Sequence, residues 1–340
     1  MLRGTGSLRR VVAFVVWLAV AILVAWGVVR AFGLERGFPM VPLIAYTPLV
    51  GGAAVLVALI AGVLRFWAAA AAAGAVAVLL AALVLPRAFP ADQSGLPSDG
   101  PELRVMTANL FLGRADPGSV VELVRAQDVD LLSLQELTPK EVRALRDAGL
   151  DRLLPEHALF AAPRSAGAGL FSRWSLGHVS LIPSSGERLA MPQVRLRIPD
   201  AADVEVVDVH PPPPTGSQQV SDWEQGLRSL PSADPRGPVR ILLGDFNATL
   251  DHQALRDVLG RGYVDAADAV GKALTATWPR GRLLPPTVTI DHVLVDDRVR
   301  VGDVGIHDLT GSDHRSVTAD LVTPANRRFG ADPPGTSRGP

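Results

Sequence analysis

The residues able to do chemistry sit at the ends of apolar runs. Arg240-Ile241-Leu242-Leu243-Gly244 leads straight into Asp245-Phe246-Asn247, and such a run reads as a buried strand ending at an exposed edge. Asp245 and Asn247 are two apart, so in extended chain their side chains leave on the same side. A carboxylate and an amide presented together beside a flexible glycine look like chemistry rather than packing. Gly, Asp and Asn also favour turns, and this stretch alone leaves both readings open. The pattern recurs, however. Asn109 ends the run 103–110, Glu136 ends the run 130–136, and His210 follows 204–209. Four prolines, Pro211 to Pro214, come directly after His210; their extended stiffness would hold the imidazole in place. Asp291 and His292 interrupt the apolar run 288–295, where a charged pair requires a partner. Asp313 and His314 lie in a compact loop, 311–315. Arg173 ends the stretch Gly167 to Arg173 and reads either as a phosphate ligand or as a solvated surface residue.

The elements that must position these groups alternate in type. A strand over 103–110 precedes a helix that begins at Asp116-Pro117-Gly118 and runs through Val124. A strand over 130–136 then precedes a helix over 139–148. That alternation is α/β. Strands at 193–198 and 204–209, a helix at 220–230, the strand 240–247, a short helix at 253–259 and strands at 288–295 and 316–322 complete the reading. Trp278, in the loop 275–279, reads as a packing anchor, and His292 is left without a role.

Ahead of this region, residues 1–86 read as a membrane anchor with three transmembrane helices, about 11–32, 40–64 and 67–85. Each run is close to the ~20 apolar residues that cross a bilayer. Arg3, Arg9 and Arg10 precede the first run, which favours a cytoplasmic N-terminus. Three spans then place the following domain outside the cell, as part of a multi-pass protein of the cell membrane. No ionisable residue lies in the middle of a run, and anchoring is the whole task expected of this region. Residues 87–102, rich in Pro, Gly and Asp, read as a linker, 103–323 as the catalytic domain and 324–340 as a flexible tail.

Charge and composition exclude some functions. The chain has a formal net charge of −1, but six arginines and a single acid fall in residues 1–86, which leaves −6 for the remainder. Lys140 and Lys272 are the only lysines. Tight binding to a nucleic-acid backbone is disfavoured by such a balance. Cysteine is absent, which excludes disulfides, thiolate metal sites and a cysteine nucleophile. No protein partner can be read from the sequence.

In chain order, Thr107-Ala108-Asn109, Gln135-Glu136, Gly169-Leu170-Phe171-Ser172-Arg173, Gly244-Asp245-Phe246-Asn247, Ile290-Asp291-His292 and Ser312-Asp313-His314 resemble the motifs of the endonuclease/exonuclease/phosphatase superfamily. The chain looks like a membrane-anchored bacterial-type member. The resemblance covers about 103–323 and implies a DNase I-like four-layer α/β sandwich with two facing mixed β-sheets, its site at one rim. It implies magnesium, with manganese as the alternative, held by Asn109, Glu136 and Asp313. It also implies Asp245 as the base that activates water, Asn247 as the group holding that water or a phosphate oxygen, and His314, steadied by Asp291, as donor to the phosphoryl oxygens. His210 matches the family's other active-site histidine, and Arg173 becomes a phosphate clamp. Magnesium prefers oxygen ligands of this kind, and attack on a charged phosphate ester needs charge neutralisation and an activated water. His210 departs from the family pattern in preceding four prolines, which changes the local loop. The expected activity is metal-dependent hydrolysis of a phosphodiester or phosphomonoester. The anchor points to a phospholipid head group as substrate, with a small phosphorylated molecule beside it. The competing readings are an extracytoplasmic nuclease acting on DNA or RNA and an inactive phosphate-binding module.

Overall fold

The computed structural model describes residues 4–182, 189–281 and 287–325. Arg3 and residues 326–340 of the expected tail lie outside the described residues.

Three long helices form the N-terminal part: α1 (Gly4–Phe32), then after a short α2 (Met40–Ile44), α3 (Thr47–Val63) and α4 (Trp67–Val84). Two helical stretches, Ser7–Phe32 and Trp67–Ala88, are long and apolar enough to cross a membrane. The run expected to be a single span over 40–64 is instead divided. Ala45 and Tyr46 separate α2 from α3, and Pro48 stands in the first turn of α3, where its missing N–H costs no helical hydrogen bond. The 17 residues of α3 rise ~26 Å, short of a hydrocarbon core of ~30 Å.

The bundle runs up, down and up. The Arg9 guanidinium lies 5.9 Å from the centre of the Phe66 ring at one end. At the other, Gly27 faces Val76 and Leu79, so α1 and α4 are parallel. Trp26 Nε1 donates to Thr47 Oγ1 at 3.2 Å and Gly51 faces Leu80, so α3 returns between them. Alanines at 54, 61, 69 and 73 are fully buried; their small side chains let the helices approach closely.

The remaining elements are β1 (Glu102–Asn109), α5 (Pro117–Ala126), β2 (Leu131–Gln135), α6 (Pro139–Asp147), α7 (Leu150–Leu153), β3 (Glu156–Phe160), β4 (Ala168–Ser172), β5 (Leu176–Leu181), β6 (Pro192–Leu196), β7 (Val204–Val209), α8 (Ser217–Ser229), β8 (Val239–Asp245), α9 (Gln253–Leu259), β9 (Tyr263–Asp265), α10 (Ala266–Ala269), β10 (Asp291–Asp296), β11 (Arg300–Asp308) and β12 (Arg315–Val322). They build two six-stranded sheets, ordered β11-β12-β1-β2-β4-β3 and β5-β6-β7-β8-β10-β9. Both are mixed: β1/β2 and β7/β8 are parallel and the other pairs antiparallel. The period of two along each strand sorts the side chains. Leu103, Val105 and Leu131 join Val206, Ile241, Leu243 and Val293 in a core that includes residues of both sheets. Met106, Ala108, Leu132 and Leu134 join residues of α5 and α6 on the other face, while Trp223 and Leu227 of α8 and Leu255 and Val258 of α9 pack on the second sheet. This is an α/β sandwich.

Residues 87–102 are not a free tether. Ala91 N donates to Ala269 O at 3.0 Å, and the Gln93 side chain both donates to Val301 O and accepts from Val301 N. The helix ends are clamped as well. Arg30, at the end of α1, and Arg87, just past α4, both pair with the buried carboxylate of Asp251, at 2.6 and 2.7 Å. Residues 1–86, expected only to anchor, also enter the domain: Val41 of α2 is 1% exposed within the domain's own core.

Candidate active site

One rim collects the C-terminal ends of β1, β2, β7 and β8 and the start of β10. Register places Asn109 beside Gln135, Val209 beside Gly244 and Asp245 opposite Asp291. Asn109, Asp245 and Asp291 continue the two-residue series that buries Val105, Leu243 and Val293 between the sheets. Each polar group therefore emerges where an inward-facing row runs out of strand. Gly244 is required there: a Cβ would collide with Val209 O, and φ is +152°, a region few side chains tolerate. Close contact of β8 with β7 draws Asp245 toward His210.

Asp245 is held from two sides. Its Oδ1 accepts from Asn247 N at 2.9 Å and its Oδ2 from Asn109 Nδ2 at 3.0 Å. His210 Nε2 and His314 Nε2 face the same Oδ2 at 3.9 and 3.8 Å. Asn247 does not continue the extended strand as expected. It adopts φ +48°, so the chain turns, and its amide donates to Pro211 O at 3.0 Å. The turn reading holds at Asn247, and the turn brings its amide to Pro211 beside His210. The contact also fixes the start of the proline run behind His210.

Glu136, at φ +58°, accepts from Leu112 N at 2.5 Å and from Asn109 Nδ2 at 3.3 Å. His314 Nδ1 lies 3.1 and 3.0 Å from the two oxygens of Asp291. Ser312 Oγ donates to Asn109 O at 2.7 Å and accepts from His314 N at 3.0 Å, tying the loop before β12 to the end of β1. Thr277 Oγ1 accepts from Asp291 N at 3.3 Å. Trp278 is more than the packing anchor expected. Its indole N–H donates to Asp313 Oδ2 at 3.2 Å, and its ring lies 6.3 Å from that of His314. Ser312 stood in the Ser312-Asp313-His314 motif without a role of its own, and Trp278 had no sequence signal beyond a proline-flanked loop.

Electrostatics separate the two histidines. Burial lowers the His210 pKa against the pull of Asp245, which favours the neutral imidazole. For His314, burial also acts downward, but the carboxylates of Asp291 and Asp245 outweigh it and raise its pKa to about 10. Burial raises Glu136 and Asp245 above the usual carboxylate range. Beneath the site Asp208 is fully buried, its Oδ1 accepting from Gln135 Nε2 at 2.7 Å across the two sheets; burial pushes it up to about 8.

The ligand atoms of Asp245, Asp291 and His314 all lie within 4.8 Å of one another, a cluster able to hold a divalent metal ion. The residues expected to hold the metal, Asn109, Glu136 and Asp313, border the same cavity or hydrogen-bond to its lining. The Glu136 and Asp313 carboxylates are ligands of the type a hard divalent ion takes, whereas the Asn109 amide turns its Nδ2 toward Glu136 and Asp245 and its oxygen accepts from Phe111 N at 2.9 Å. Asp313 Oδ1 is buried with no hydrogen-bond partner among the described residues and lies 4.0 Å from His314 Nε2. Four carboxylates, Glu136, Asp245, Asp291 and Asp313, surround one imidazolium, a charge imbalance that a hard cation with oxygen ligands offsets.

Arg173 is not brought to this set. β4 runs antiparallel to β2 with Ala168 beside Gln135 and Ser172 beside Leu131, so the motif that contains Arg173 begins at the site rim and ends at the opposite one, ~17 Å away at ~3.3 Å per residue. There Arg173 pairs with Asp128 and Asp130 at 2.6 and 3.0 Å. His292 also stays outside: its Nδ1 meets Asp265 Oδ2 at 2.7 Å and its Nε2 meets Ala248 O at 2.9 Å.

Comparison with known proteins agrees with this architecture. A family model described as Endonuclease/Exonuclease/phosphatase family matches residues 106–314. No curated protein matches the chain. Among solved structures, an endonuclease/exonuclease/phosphatase from Beutenbergia cavernae DSM 12333 is 20% identical, with a TM-score of 0.50 over 66% of this chain and 72% of that one. D. rerio TDP2 complexed with single strand DNA product is 15% identical, with a TM-score of 0.54 over 65% and 99% of the two chains. A functionally unknown conserved protein from Enterococcus faecalis V583 is also 15% identical, with a TM-score of 0.52 over 65% and 100%. At these identities the likeness is one of fold.

Proposed function

Since the chain belongs to the endonuclease/exonuclease/phosphatase family, we propose that it is a membrane-anchored, metal-dependent phosphoester hydrolase. The observation that carries this reading is the shared focus of Asp245 and His314. The His314 ring is fixed on Asp291 through Nδ1, which leaves Nε2 turned toward the Asp245 carboxylate and the cavity.

In this reading Asp245, aligned by Asn109 and Asn247, orients a water and takes its proton as the water oxygen bonds to phosphorus. The ester P–O bond breaks in line, and the leaving oxygen takes its proton from solvent. His314, charged through neutral pH, donates from Nε2 to a phosphoryl oxygen. His210, buried near Asp245, lies beside the leaving group. The amide oxygen of Asn247 faces the attacking water or a phosphate oxygen. Glu136 and Asp313 with Asn109 would hold magnesium, or manganese in its place; when bound, such an ion supplies charge neutralisation at the phosphoryl oxygens.

Lipid phosphate esters are the preferred substrate class, because tethering concentrates the site at a surface. The net of −6 outside the anchor argues against a nuclease. In the proposed topology the N-terminus is cytoplasmic, with Arg9 and Arg10 inside, and the catalytic domain is extracytoplasmic. Parallel α1 and α4 support an odd number of crossings, because α3 has to return through whatever thickness they cross. Protease access to residues 103–323 in intact cells tests this, and protection of the domain would refute it.

The activity test takes the purified full-length protein against DNA, RNA, phosphoinositides, sphingomyelin and soluble phosphate esters, each with magnesium and with chelator. Release of phosphate or a head group with metal and none with chelator is expected. Turnover that chelator does not reduce would sink the metal-dependent reading. Metal titration of Glu136→Gln and Asp291→Asn locates the ion: the first should weaken binding more than the second.

A further inference from the structure

The cavity above Asp245 and His314 is not built by the catalytic domain alone. It encloses about 620 Å³, within the range of small-molecule sites. Its floor is polar, with Glu136, His210, Asp245, Asn247, Asp313 and His314. Its walls are apolar, and one of them comes from the anchor: Phe38, Pro42, Leu43, Ala45 and Tyr46, from α2 and the chain either side of it.

This anchor segment is fixed to the domain. Val41 and Ile44 are 1% and 0% exposed, which turns the other face of α2 toward the cavity. The Glu35 carboxylate accepts from Gln253 N at the start of α9. The Arg30 and Arg87 pairs with Asp251 hold the flanking helix ends at the same place. The wall is therefore part of the site's rigid frame, although it lies in the sequence between two membrane helices.

Its outer side is apolar too. Phe38 and Leu43 line the cavity and are still 50% and 42% exposed, and Leu34 beside them is 51% exposed. Facing water, such a rim would waste apolar surface. In the topology proposed above, the rim lies where α1 and α4 end and the domain begins, a position that suits the bilayer boundary. In that topology the cavity's apolar side meets the membrane, with the phosphate chemistry at its inner end.

We propose that Phe38, Pro42, Leu43 and Tyr46 form a hydrocarbon subsite that receives the first methylenes of a phosphate-bearing bilayer lipid, which enters sideways from the membrane boundary with its phosphate toward Asp245 and His314. The inference rests on the phosphoesterase reading of the same site and names its substrate class. The anchor then does more than tether: it selects an amphiphile over a soluble phosphate ester.

Full-length protein in lipid nanodiscs tests this with n-alkyl p-nitrophenyl phosphates and n-alkyl phosphates of two, four, six and eight carbons, used below their micelle concentrations with magnesium. kcat/KM is expected to rise about two- to fourfold per added methylene until the subsite is filled. Phe38→Ser and Leu43→Ser, at half-exposed positions, should lower the eight-carbon to two-carbon ratio of kcat/KM at least tenfold. An unchanged ratio in both variants overturns the subsite, and so does a wild-type rate independent of chain length. If no ester of any length is hydrolysed, the catalytic reading fails, and calorimetry with n-alkyl phosphonates decides the subsite separately. Affinity that grows with chain length and is lost in the two variants supports it; length-independent affinity overturns it.

Discussion

Asp291 and His292 are neighbours on β10, and each belongs to a buried histidine–carboxylate pair, yet the two pairs have opposite fates. In the His292–Asp265 pair both ring nitrogens are consumed, one by Asp265 and the other by Ala248 O. His292 is sealed within the second sheet, where Asp265 raises its pKa against burial, and its ring has no further bond to offer. In the Asp291–His314 pair only Nδ1 is consumed, and Nε2 looks across the cavity at Asp245, 3.8 Å away. Two residues adjacent on a strand point to opposite faces, so one step along the chain separates a site from a strut. A buried charged pair by itself is thus no signature of catalysis; an unspent donor facing a cavity is.

The largest effect should separate the two histidines. His314→Gln is expected to lower kcat/KM by about 10³-fold, within the range of lost acid–base and oxyanion contacts. His292→Gln should instead leave Asp265 buried and unpaired, at a cost of about 3–5 kcal/mol. That lowers the apparent Tm by ~10 °C while folded enzyme keeps kcat/KM within about tenfold. Thermal unfolding and steady-state kinetics on both variants check this, and the distinction collapses if the two lose activity equally.

A smaller effect lies in pH. The folded His314 pKa, about 10, exceeds its ordinary value of 6.5. Its contribution to stability is therefore complete below about 6.5 and lost as pH rises through about 10. Asp291→Asn removes the main upward influence, so both the alkaline limb of kcat/KM and this loss of stability should move to lower pH. Profiles between pH 6 and 10.5 read this directly; an alkaline limb that stays in place would show that another group controls it.

The smallest effect concerns Asp208, which lies beneath the site and takes no part in the chemistry. Burial raises its pKa from 3.8 to about 8. An acid raised on folding makes the folded state less stable as pH climbs from about 4 to 8, because the unfolded chain ionises first. Asp208→Asn should flatten that slope and gain a few degrees in Tm at pH 8, with the gain absent at pH 4.

Most strand cores were legible because an apolar run with a polar end has a local cause: the strand is buried until it reaches the rim. Short or half-exposed strands such as β3, β5, β9 and β11 lacked that contrast, and their hydrogen-bonding partners are distant in sequence. Asp245, Glu136, His210 and His314 could be named as a set because each ends or follows a buried run. Arg173 could not be placed by the same logic. A motif carries residue types, but the antiparallel direction of β4 decides which of its ends meets the site.

By itself the sequence determined the α/β pattern, the apolar helices, the absence of cysteine chemistry and the identity of the residues at the strand ends, all properties of composition and local period. The motif resemblance already implied that Asp291 steadies His314; only the tertiary structure decided that His292 serves Asp265, and that Ser312 and Trp278 brace the site. Only it brought Phe38 to Tyr46 from the anchor into the wall of the cavity. Residues as far apart as 46 and 278 line that one cavity, and no local pattern of side chains records it.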